Sequence, residues 1–231
     1  NDEATLVGFE PIMTTTAAEV LAQLKRLAHP ENLPGMARFG INPAGRLGLS
    51  VPEMRRIARQ AGRDHRLALE LWTSGIPEAR IVAAMVDEPE RVTPAQMDRW
   101  VRDFDSWDVC DQVCASLFDK TPHAWVKARA WAGRKQEYVR RGGFALMACL
   151  AWHNKAAPDS AFLRFLPSIR RGATDERNFV KKAVSWALRT IGKRNARLRA
   201  AALREARALR KLDSKAARWI GSDAERELSK G

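Results

Sequence analysis

Apolar side chains recur at helical spacing along almost the whole chain, and this periodicity limits the possible folds more than any other feature. Runs that alternate apolar and polar residues, which would predict strands, are almost absent. Proline stands at or just before the first turn of several predicted helices, where its missing amide hydrogen costs little: Pro52, Pro77, Pro94 and Pro122. The pattern predicts an all-α protein.

The predicted helices fall into consecutive pairs. In chain order these are His65–Ser74 with Ile76–Val86, Thr93–Asp103 with Ser106–Phe118, His123–Ala132 with Gln136–Trp152, Ser160–Arg170 with Asp175–Ile191, and Arg197–Leu212 with Ser214–Leu228. The second helix of each pair recurs about every 30–40 residues, which is typical of an α-solenoid of stacked antiparallel helix pairs. An ordinary bundle without repeats would use the same helices and stays open.

The chain carries no obvious interdomain linker. No stretch rich in Pro, Gly and Ser interrupts residues 50–231, so we predict stacked helix pairs over that range. Residues 1–49 are predicted to form N-terminal capping helices, with an irregular connection at His29–Gly48, where Gly, Pro and Asn are frequent. The whole chain, residues 1–231, is therefore predicted to be a single domain.

The charge is unevenly distributed. The formal net charge is +13, made of −5 over residues 1–119 and +18 over residues 120–231. Such an excess in one half favours binding to a polyanion, because each neutralised phosphate releases counterions. A highly charged, merely solvated surface is the alternative.

Cysteine content and hydropathy indicate a cytoplasmic protein. Cys110, Cys114 and Cys149 are few, odd in number and placed among helical apolar residues, so we interpret them as reduced core thiols. Cys110 and Cys114 with His123 or His153 do not match the spacing of zinc ligands. No apolar run approaches the roughly 20 residues that span a bilayer. The first residue is not Met, which leaves the natural start open.

The segment Ser-Trp107-Asp-Val-Cys-Asp111 carries the most specific functional signal. Asp105 and Ser106 are good residues for capping a helix that starts there. Trp107 and Asp111 are four residues apart, so they share one face of that helix. A carboxylate beside a large aromatic, at the edge of the apolar stripe of a very basic protein, indicates a functional site.

Two later helices add similar combinations. One contains Arg141, predicted to point away from the packed face, followed by Gly142-Gly143; two helical glycines indicate close approach of a neighbouring helix or of a ligand backbone. The next places Trp186 among lysines and arginines, a pattern that suits a phosphate backbone and one stacking group. Taken singly, Trp186 is more often core and Arg141 more often a solvated residue. The other tryptophans are assigned to packing or to inter-helix contacts: Trp72, Trp100, Trp125, Trp131, Trp152 and Trp219.

These motifs, in this order, resemble the AlkD-type DNA alkylation repair glycosylases. The motifs are Ser-Trp107-Asp-Val-Cys-Asp111, Val-Arg-Arg141-Gly-Gly-Phe and Phe179-Val-Lys-Lys-Ala-Val-Ser-Trp186-Ala-Leu-Arg, and the resemblance runs from about residue 35 to the C-terminus. It implies HEAT-like repeats with a concave basic face that embraces duplex DNA, and excision of purines alkylated at N3 or N7. It also implies an active cleft of Trp107, Asp111, Arg141 and Trp186, with Arg140 as the alternate for Arg141 and Phe39 as the nearby N-terminal aromatic.

The chemistry of such a reaction suits these residues. A purine alkylated at N3 or N7 is cationic and leaves as a neutral base, so one carboxylate that stabilises an oxocarbenium-like sugar and places a water is sufficient. Asp111 among basic residues is expected to have a low pKa and to stay ionised. Arg141 is expected to hold a phosphate as a planar fork. No metal or cofactor is required, and a lysine-imine mechanism is open in principle although no Lys lies near Asp111 in sequence.

The predicted partner is double-stranded DNA containing alkylated purines. The residues predicted to contact DNA are Arg140, Arg141, Lys181, Lys182, Arg189, Lys193 and Arg194. We expect a monomer in the bacterial cytoplasm, without membrane contact or an obligate protein partner. Two other interpretations stay open: a non-catalytic helical-repeat protein that binds bent, damaged or branched DNA, and a protein-interaction scaffold.

Overall fold

The computed structural model describes residues 15–230, and the described residues form α-helices and two short 3₁₀ turns but no β-strand. The helices are α1 (Ala17–Arg26), α2 (Leu33–Arg38), α3 (Val51–Ala61), α4 (His65–Thr73), α5 (Pro77–Val86), α6 (Pro94–Arg102), α7 (Trp107–Ser116), α8 (Ala124–Ala132), α9 (Glu137–His153), α10 (Asp159–Leu163), α11 (Leu166–Gly172), α12 (Asn178–Gly192), α13 (Ala196–Leu209) and α14 (Lys215–Leu228). The prediction of an all-α fold is confirmed.

Six helices form a row through the molecule, which we call the central row: α3, α5, α7, α9, α12 and α14. Each member packs against the next, while α4, α8 and α13 pack against the helix that follows them in the chain. The last five members begin at Pro77, Trp107, Glu137, Asn178 and Lys215. Each start lies within about three residues of the predicted one, as expected for helix ends. The helix pairs predicted from the periodicity are therefore present.

Helix starts follow the capping chemistry of the sequence. Pro52, Pro77 and Pro94 lie in the first turns of α3, α5 and α6. The Asn195 side chain accepts a hydrogen bond from the amide of Leu198 at the start of α13. Such caps satisfy amide groups that have no partner within the helix.

One predicted helix is divided in two. The sequence predicted a continuous helix over Ser160–Arg170, whereas the chain forms α10 and α11 with a break at Arg164 and Phe165. Pro167 lies in the first turn of α11. Since proline has no amide hydrogen and its ring crowds the preceding turn, a helix cannot run through this position without distortion.

The N-terminal connection is more ordered and reaches further than predicted. Within His29–Gly48 the chain forms a 3₁₀ turn at Pro30–Asn32 and then α2. Residues 39–50, which we call the strap, have no regular structure, yet they contact the start of α7. The predicted capping role of residues 1–49 therefore describes this segment incompletely, and residues 1–14 lie outside the described part of the chain.

The core is one cluster of buried apolar residues that extends from Val20 to Leu228. It is consistent with a single domain over the described residues, although the assignment to the whole chain stays a prediction. Among residues 15–230 no helix is both long and apolar enough to cross a membrane.

The tryptophans divide into buried and exposed groups. Trp72 and Trp100 stack at 3.8 Å between ring centroids and are buried, as is Trp131. Trp152 and Trp219, by contrast, are 60% and 41% exposed. The prediction that the six remaining tryptophans serve packing or inter-helix contacts is wrong for Trp152, because an amphipathic helix pattern does not show where the next helix in the stack ends. Trp219 keeps an inter-helix contact, since the Lys181 ammonium of α12 lies 4.9 Å from its ring centroid.

The double glycine serves helix packing. A Cβ at Gly143 would lie 2.3 Å from the backbone nitrogen of Ala132, and one at Gly142 would lie 3.1 Å from a methyl carbon of Val101. Of the two explanations that the sequence left open, contact with neighbouring helices accounts for both positions.

Candidate functional site

An open cleft of about 370 Å³ lies where the strap meets the first turns of three helices of the central row. Its lining comes from the strap, α7, α9 and α12, and consists of Phe39, Ile41, Trp107, Arg141, Phe179 and Lys182. The structure thus places Trp107 and Arg141, which were predicted to form the active cleft, in one cleft together with Phe39.

Asp111 lies directly behind the cleft and is paired with Arg141. Its two carboxylate oxygens accept hydrogen bonds from Nε and Nη2 of Arg141, at 3.0 and 2.7 Å. Because the two bonds are parallel and charge-assisted, the pair fixes the plane of the carboxylate. Each oxygen receives one bond from Arg141 and retains a further lone pair.

Arg141 is buried, contrary to prediction. Only 5% of the residue is exposed, and its Nη1 donates a third hydrogen bond to the carbonyl oxygen of Phe179 at the start of α12. The expectation that Arg141 points away from the packed face is therefore wrong. Three of the five N–H donors of its guanidinium have protein partners, so at most one N–H on each of Nη1 and Nη2 is left for a phosphate.

The pKa of Asp111 also departs from expectation. Burial raises the pKa of this carboxyl above its ordinary value, and the adjacent Arg141 guanidinium only partly opposes the shift. Asp108 acts in the same direction as burial. The sequence predicted a low pKa from the abundance of basic residues, but the local desolvation outweighs them.

Trp107 is held at both ends of its side chain. It is half-buried, and its indole Nε1 donates a hydrogen bond of 3.0 Å to the carbonyl oxygen of Phe39. The Arg141 guanidinium carbon lies 5.9 Å from the centroid of the indole, within the range of a cation–π contact. The electron-rich face of Trp107 is thus fixed beside the carboxylate that lies one turn along α7.

The strap that supplies Phe39 and Ile41 is anchored by a buried ion pair that the sequence analysis missed. Arg46 is 8% exposed, and its Nη2 lies 2.6 Å from Oδ1 of Asp108, next to Trp107. The same Asp108 oxygen accepts a hydrogen bond of 2.6 Å from the Ser106 hydroxyl. The available signal was a lone arginine between two glycines in an otherwise apolar stretch.

Gly40 lets the strap pass close to α12. Its φ of +73° is the left-handed conformation that favours glycine, and a Cβ there would lie 2.6 Å from the Phe179 ring. This close approach brings Phe39 and Phe179 to opposite sides of the same cleft.

Trp186 is not part of the cleft lining. It lies one helical turn beyond Lys182 on α12, is half-buried and packs against the core. Its predicted catalytic role stays untested, and the geometry agrees with the alternative that the sequence itself offered, a core residue.

Most of the predicted DNA-contacting cations have partners within the protein. Arg189 and Lys193 both pair with Glu227 of α14. Arg140 lies 3.4 Å from Asp175, and Arg194 donates to the carbonyl oxygen of Ala151.

The two adjacent lysines of α12 are placed differently. Lys181 is 4.9 Å from the ring centroid of Trp219, and Lys182 is exposed at the edge of the cleft. Among residues 15–230, neither lysine forms a salt bridge. DNA contact by all seven predicted residues stays a prediction.

The three cysteines are free and buried. Cys110 and Cys114 lie on the buried face of α7, with their sulfur atoms within 4 Å of backbone carbonyls of α9. Burial raises the pKa of the Cys114 and Cys149 thiols. A thiol kept protonated in an apolar environment is a packing group, in agreement with the interpretation as core thiols.

Comparison with known proteins adds a family and a fold. A family model described as DNA alkylation repair enzyme matches residues 20–227. A solved structure described as "A new family of proteins related to the HEAT-like repeat DNA glycosylases with affinity for branched DNA structures" aligns with a TM-score of 0.74 at 18% identity, covering 92% of this chain and 95% of that one. At this identity the likeness shows a shared fold alone.

Two further comparisons contribute less. An engineered protein aligns with a TM-score of 0.42 at 14% identity, covering 92% of this chain and 99% of the other, which is too weak to support an argument. No curated protein matches the chain.

Proposed function

The chain belongs to the DNA alkylation repair enzyme family, and from this premise we propose that it is a DNA glycosylase. The proposed reaction is hydrolysis of the N-glycosidic bond of cationic purines alkylated at N3 or N7 in duplex DNA. The observation that carries the proposal is the Asp111 carboxylate, oriented by Arg141 beside the Trp107 indole at an open cleft.

The carboxylate supplies the charge that the reaction lacks. Departure of a cationic base leaves it neutral, so little general-acid assistance is needed, while the sugar gains positive charge in the transition state. Asp111 in its ionised form would stabilise that charge and orient a water through the lone pairs that Arg141 leaves free. Preorganised electrostatic groups of this kind are typically worth about 10²–10³-fold in rate.

Arg141 has two tasks in this scheme. It opposes the effect of burial on Asp111 and so favours the ionised carboxylate. It also fixes the orientation of the carboxylate through two hydrogen bonds. An exposed aspartate without such a partner would sample many orientations.

The aromatic residues account for selectivity toward a cationic base. Trp107, Phe39 and Phe179 contribute ring faces or edges to the cleft lining. A cation over an aromatic face gains roughly 0.5–2 kcal/mol, which a neutral purine would not gain in the same way. Because the cleft is open and shallow, the base would be approached without insertion into a deep pocket.

We propose hydrolysis without lyase chemistry, although Lys182 lies in the same cleft despite its distance from Asp111 in sequence. Reduction with borohydride in the presence of DNA containing an abasic site tests this point, because a lysine imine would become a stable crosslink. A crosslink that disappears in Lys182→Ala would replace the hydrolytic scheme.

The decisive experiment is release of free base from duplex DNA containing N7-methylguanine, measured in single turnover. Asp111→Asn keeps the shape and removes the charge, so it should lose excision by at least about 10²-fold while DNA binding is retained. Glu90→Gln removes an exposed carboxylate distant from the cleft lining and serves as the control. Equal rates for wild type and Asp111→Asn would remove Asp111 from the mechanism.

A non-catalytic protein that binds branched DNA is the second candidate. It is favoured by the bidentate pairing of Asp111 with Arg141, since such a pair can serve structure alone. The structural relative described above, which has affinity for branched DNA, points in the same direction. Wild-type protein that binds DNA but releases no base would support this candidate.

A further inference from the structure

Four arginines stand close together on α3 and the loop that follows it. Arg55, Arg56, Arg59 and Arg63 are all exposed, and within residues 15–230 none of them forms a salt bridge with a carboxylate. The nearest acidic residue on α3, Glu53, is occupied by Ser50 and His29. This cluster lies in the half of the chain whose net charge is −5.

Three of these arginines line one groove. Arg55, Arg59 and Arg63, together with Ala58, Gly62 and Met85, enclose an open volume of about 360 Å³, which we call the arginine groove. Its floor is apolar and its rim is cationic, and a groove of this kind accommodates a sugar–phosphate backbone with anionic oxygens toward the rim.

The arrangement costs helix stability unless an anion is present. Arg55 and Arg59 are four residues apart on α3, where like charges repel. The next helix shows the usual alternative, since Arg66 pairs with Glu70 at the same spacing, at 2.9 Å.

Local structure explains only part of the cluster. Arg59 lies in the last turn of α3, where a cation complements the helix dipole, and Arg63 donates to the carbonyl of Asp87 at the end of α5. Neither reason applies to Arg55 and Arg56.

The arginine groove and the strap both adjoin α5. Glu78 and Met85 are seven residues apart on α5 and share a face of that helix. Glu78 accepts a hydrogen bond from the amide of Gly48 in the strap, and Met85 lines the arginine groove. The end of the strap at Gly48 and the arginine groove thus adjoin the same face of α5, and the other end of the strap, at Phe39 and Ile41, lines the cleft.

The separation of the two sites matches a DNA duplex. α3 and α7 are two steps apart in the central row, and packed helices lie about 8–10 Å apart, so the axes of these two helices are about 16–20 Å apart. At about 3.4 Å per nucleotide along a strand, this spacing corresponds to about five to six base pairs.

We propose that the arginine groove binds the phosphate backbone of duplex DNA about five to six base pairs from the cleft. The proposal rests on the proposed binding of DNA and extends it to the acidic half of the chain. It places phosphate contacts on a surface that the overall charge distribution does not single out.

The test is the salt dependence of binding. The affinity of the full chain for a 24-base-pair duplex of fixed sequence is measured by fluorescence anisotropy against the logarithm of salt concentration. Each lost phosphate contact reduces the magnitude of the slope of log affinity against log salt by about 0.9. The double variant Arg55→Gln with Arg59→Gln should therefore reduce this magnitude by about 1.8. Arg66→Gln, which removes an ion-paired arginine from α4, is the matched control and should leave the slope unchanged.

A second measurement locates the contact. Each duplex carries one N7-methylguanine and extends either twelve or three base pairs beyond it on one side, and the two sides are shortened in separate duplexes. All proteins in this measurement carry Asp111→Asn, so that the base is not released during binding. With Arg55 and Arg59 intact, shortening the duplex on the side that reaches the arginine groove should weaken binding about as much as the double substitution does. The same shortening should not weaken binding of the double variant any further. Loss on neither side, or equal loss in both proteins, would overturn the proposal.

The outcomes separate this proposal from the proposed function. If the double variant has an unchanged slope while Lys182→Ala lowers it, the arginine groove is excluded and DNA binding is retained. If the slope falls by about 1.8 but no base is released from N7-methylguanine, the groove stands and the glycosylase activity fails. Circular dichroism and thermal melting of the double variant establish that it is folded.

Discussion

Asp111 experiences two opposing effects at the level of the single residue. Burial between α7 and α9 disfavours its charge, and the bidentate contact with Arg141 favours it. The balance leaves the pKa of the carboxyl above the ordinary aspartate value, so its ionisation is sensitive to any change in Arg141. In the proposed reaction, Asp111 would depend on Arg141 for its charge as well as for its position.

The pH dependence of excision follows from this balance. In the proposed reaction the ionised form of Asp111 is the active one, so the rate should fall on acidification through a pKa higher than the ordinary 3.8. Arg141→Gln removes the group that lowers the pKa, and should therefore move the acid limb to still higher pH and weaken catalysis at neutral pH. Single-turnover rates against pH, corrected for spontaneous base loss without enzyme, provide the measurement. An acid limb at the same pH in both proteins would contradict the assignment.

Trp107 offers a second test at the residue scale. Trp107→Ala removes the aromatic face next to Asp111, and should slow release of cationic N7-methylguanine by roughly 2–30-fold, the equivalent of about 0.5–2 kcal/mol. The rate at which the variant releases a neutral base should decrease by a smaller factor. Trp152→Ala, which removes an exposed tryptophan outside the cleft lining, is the control. Equal losses for cationic and neutral bases would indicate a steric role.

At the scale of helices, α9 is the element around which the site is assembled. It packs against α7, α8 and α12, and nearly every residue from Val139 to Ala151 is buried. Close packing of α8 requires Gly143, because a side chain there would meet the α8 backbone. The position of Arg141, two residues earlier, is fixed by the same packing.

The two glycines of α9 should respond differently to alanine. Gly143→Ala places a methyl group against backbone atoms of Ala128 and Ala132, and should destabilise the protein by about 1–3 kcal/mol. Gly142→Ala meets only side chains, so the gain of up to about 1 kcal/mol in helix propensity should offset most of its crowding. Chemical denaturation of both variants measures the difference. Equal stability of the two variants would show that α8 can move away.

The strap is the second element that determines the site. It places Phe39 and Ile41 in the cleft, and the buried contact of Arg46 with Asp108 attaches it to the first turn of α7. Removal of one member of a buried pair leaves an uncompensated charge, so such an anchor is hard to replace. The orientation of Trp107 thus depends on a segment about 60–70 residues away in sequence.

At the scale of the whole molecule, the net charge overstates the cations available to DNA. Arg189 and Lys193 share Glu227, whereas Lys182 lies at the cleft edge without an ion pair among the described residues. A cation that is already paired gains less from a phosphate, because it must leave or share its carboxylate.

The salt dependence of DNA binding should reflect this difference. Lys182→Ala should lower the slope of affinity against salt by about 1, if Lys182 contacts a phosphate. Lys193→Ala should lower it by less. Glu227→Gln should tighten binding, because it frees Lys193 and leaves Arg189 paired with Asp223 alone. Anisotropy titrations at several salt concentrations compare the three variants. A larger effect for Lys193 than for Lys182 would show that DNA displaces Glu227.

Much of the architecture was determined by local sequence. Apolar periodicity, first-turn prolines and capping residues located the paired helices within about three residues, because these signals act over one or two turns. The same locality placed Trp107 and Asp111 on one helix face. The break at Pro167 was also present in the sequence, and only the continuity of the apolar pattern obscured it.

Only the tertiary structure decided which of these residues act together. Arg141 pairs with Asp111, which is thirty residues away in sequence, and Arg46 pairs with Asp108, which is sixty-two residues away. Likewise, Glu227 pairs with cations that the sequence suggested were free, and Trp186 is half-buried, packs against the core and is not among the residues that line the cleft. These outcomes depend on how successive helices stack and where each ends. The helical period fixes the face on which a residue lies, but only packing determines whether that face meets solvent, a carboxylate or another helix.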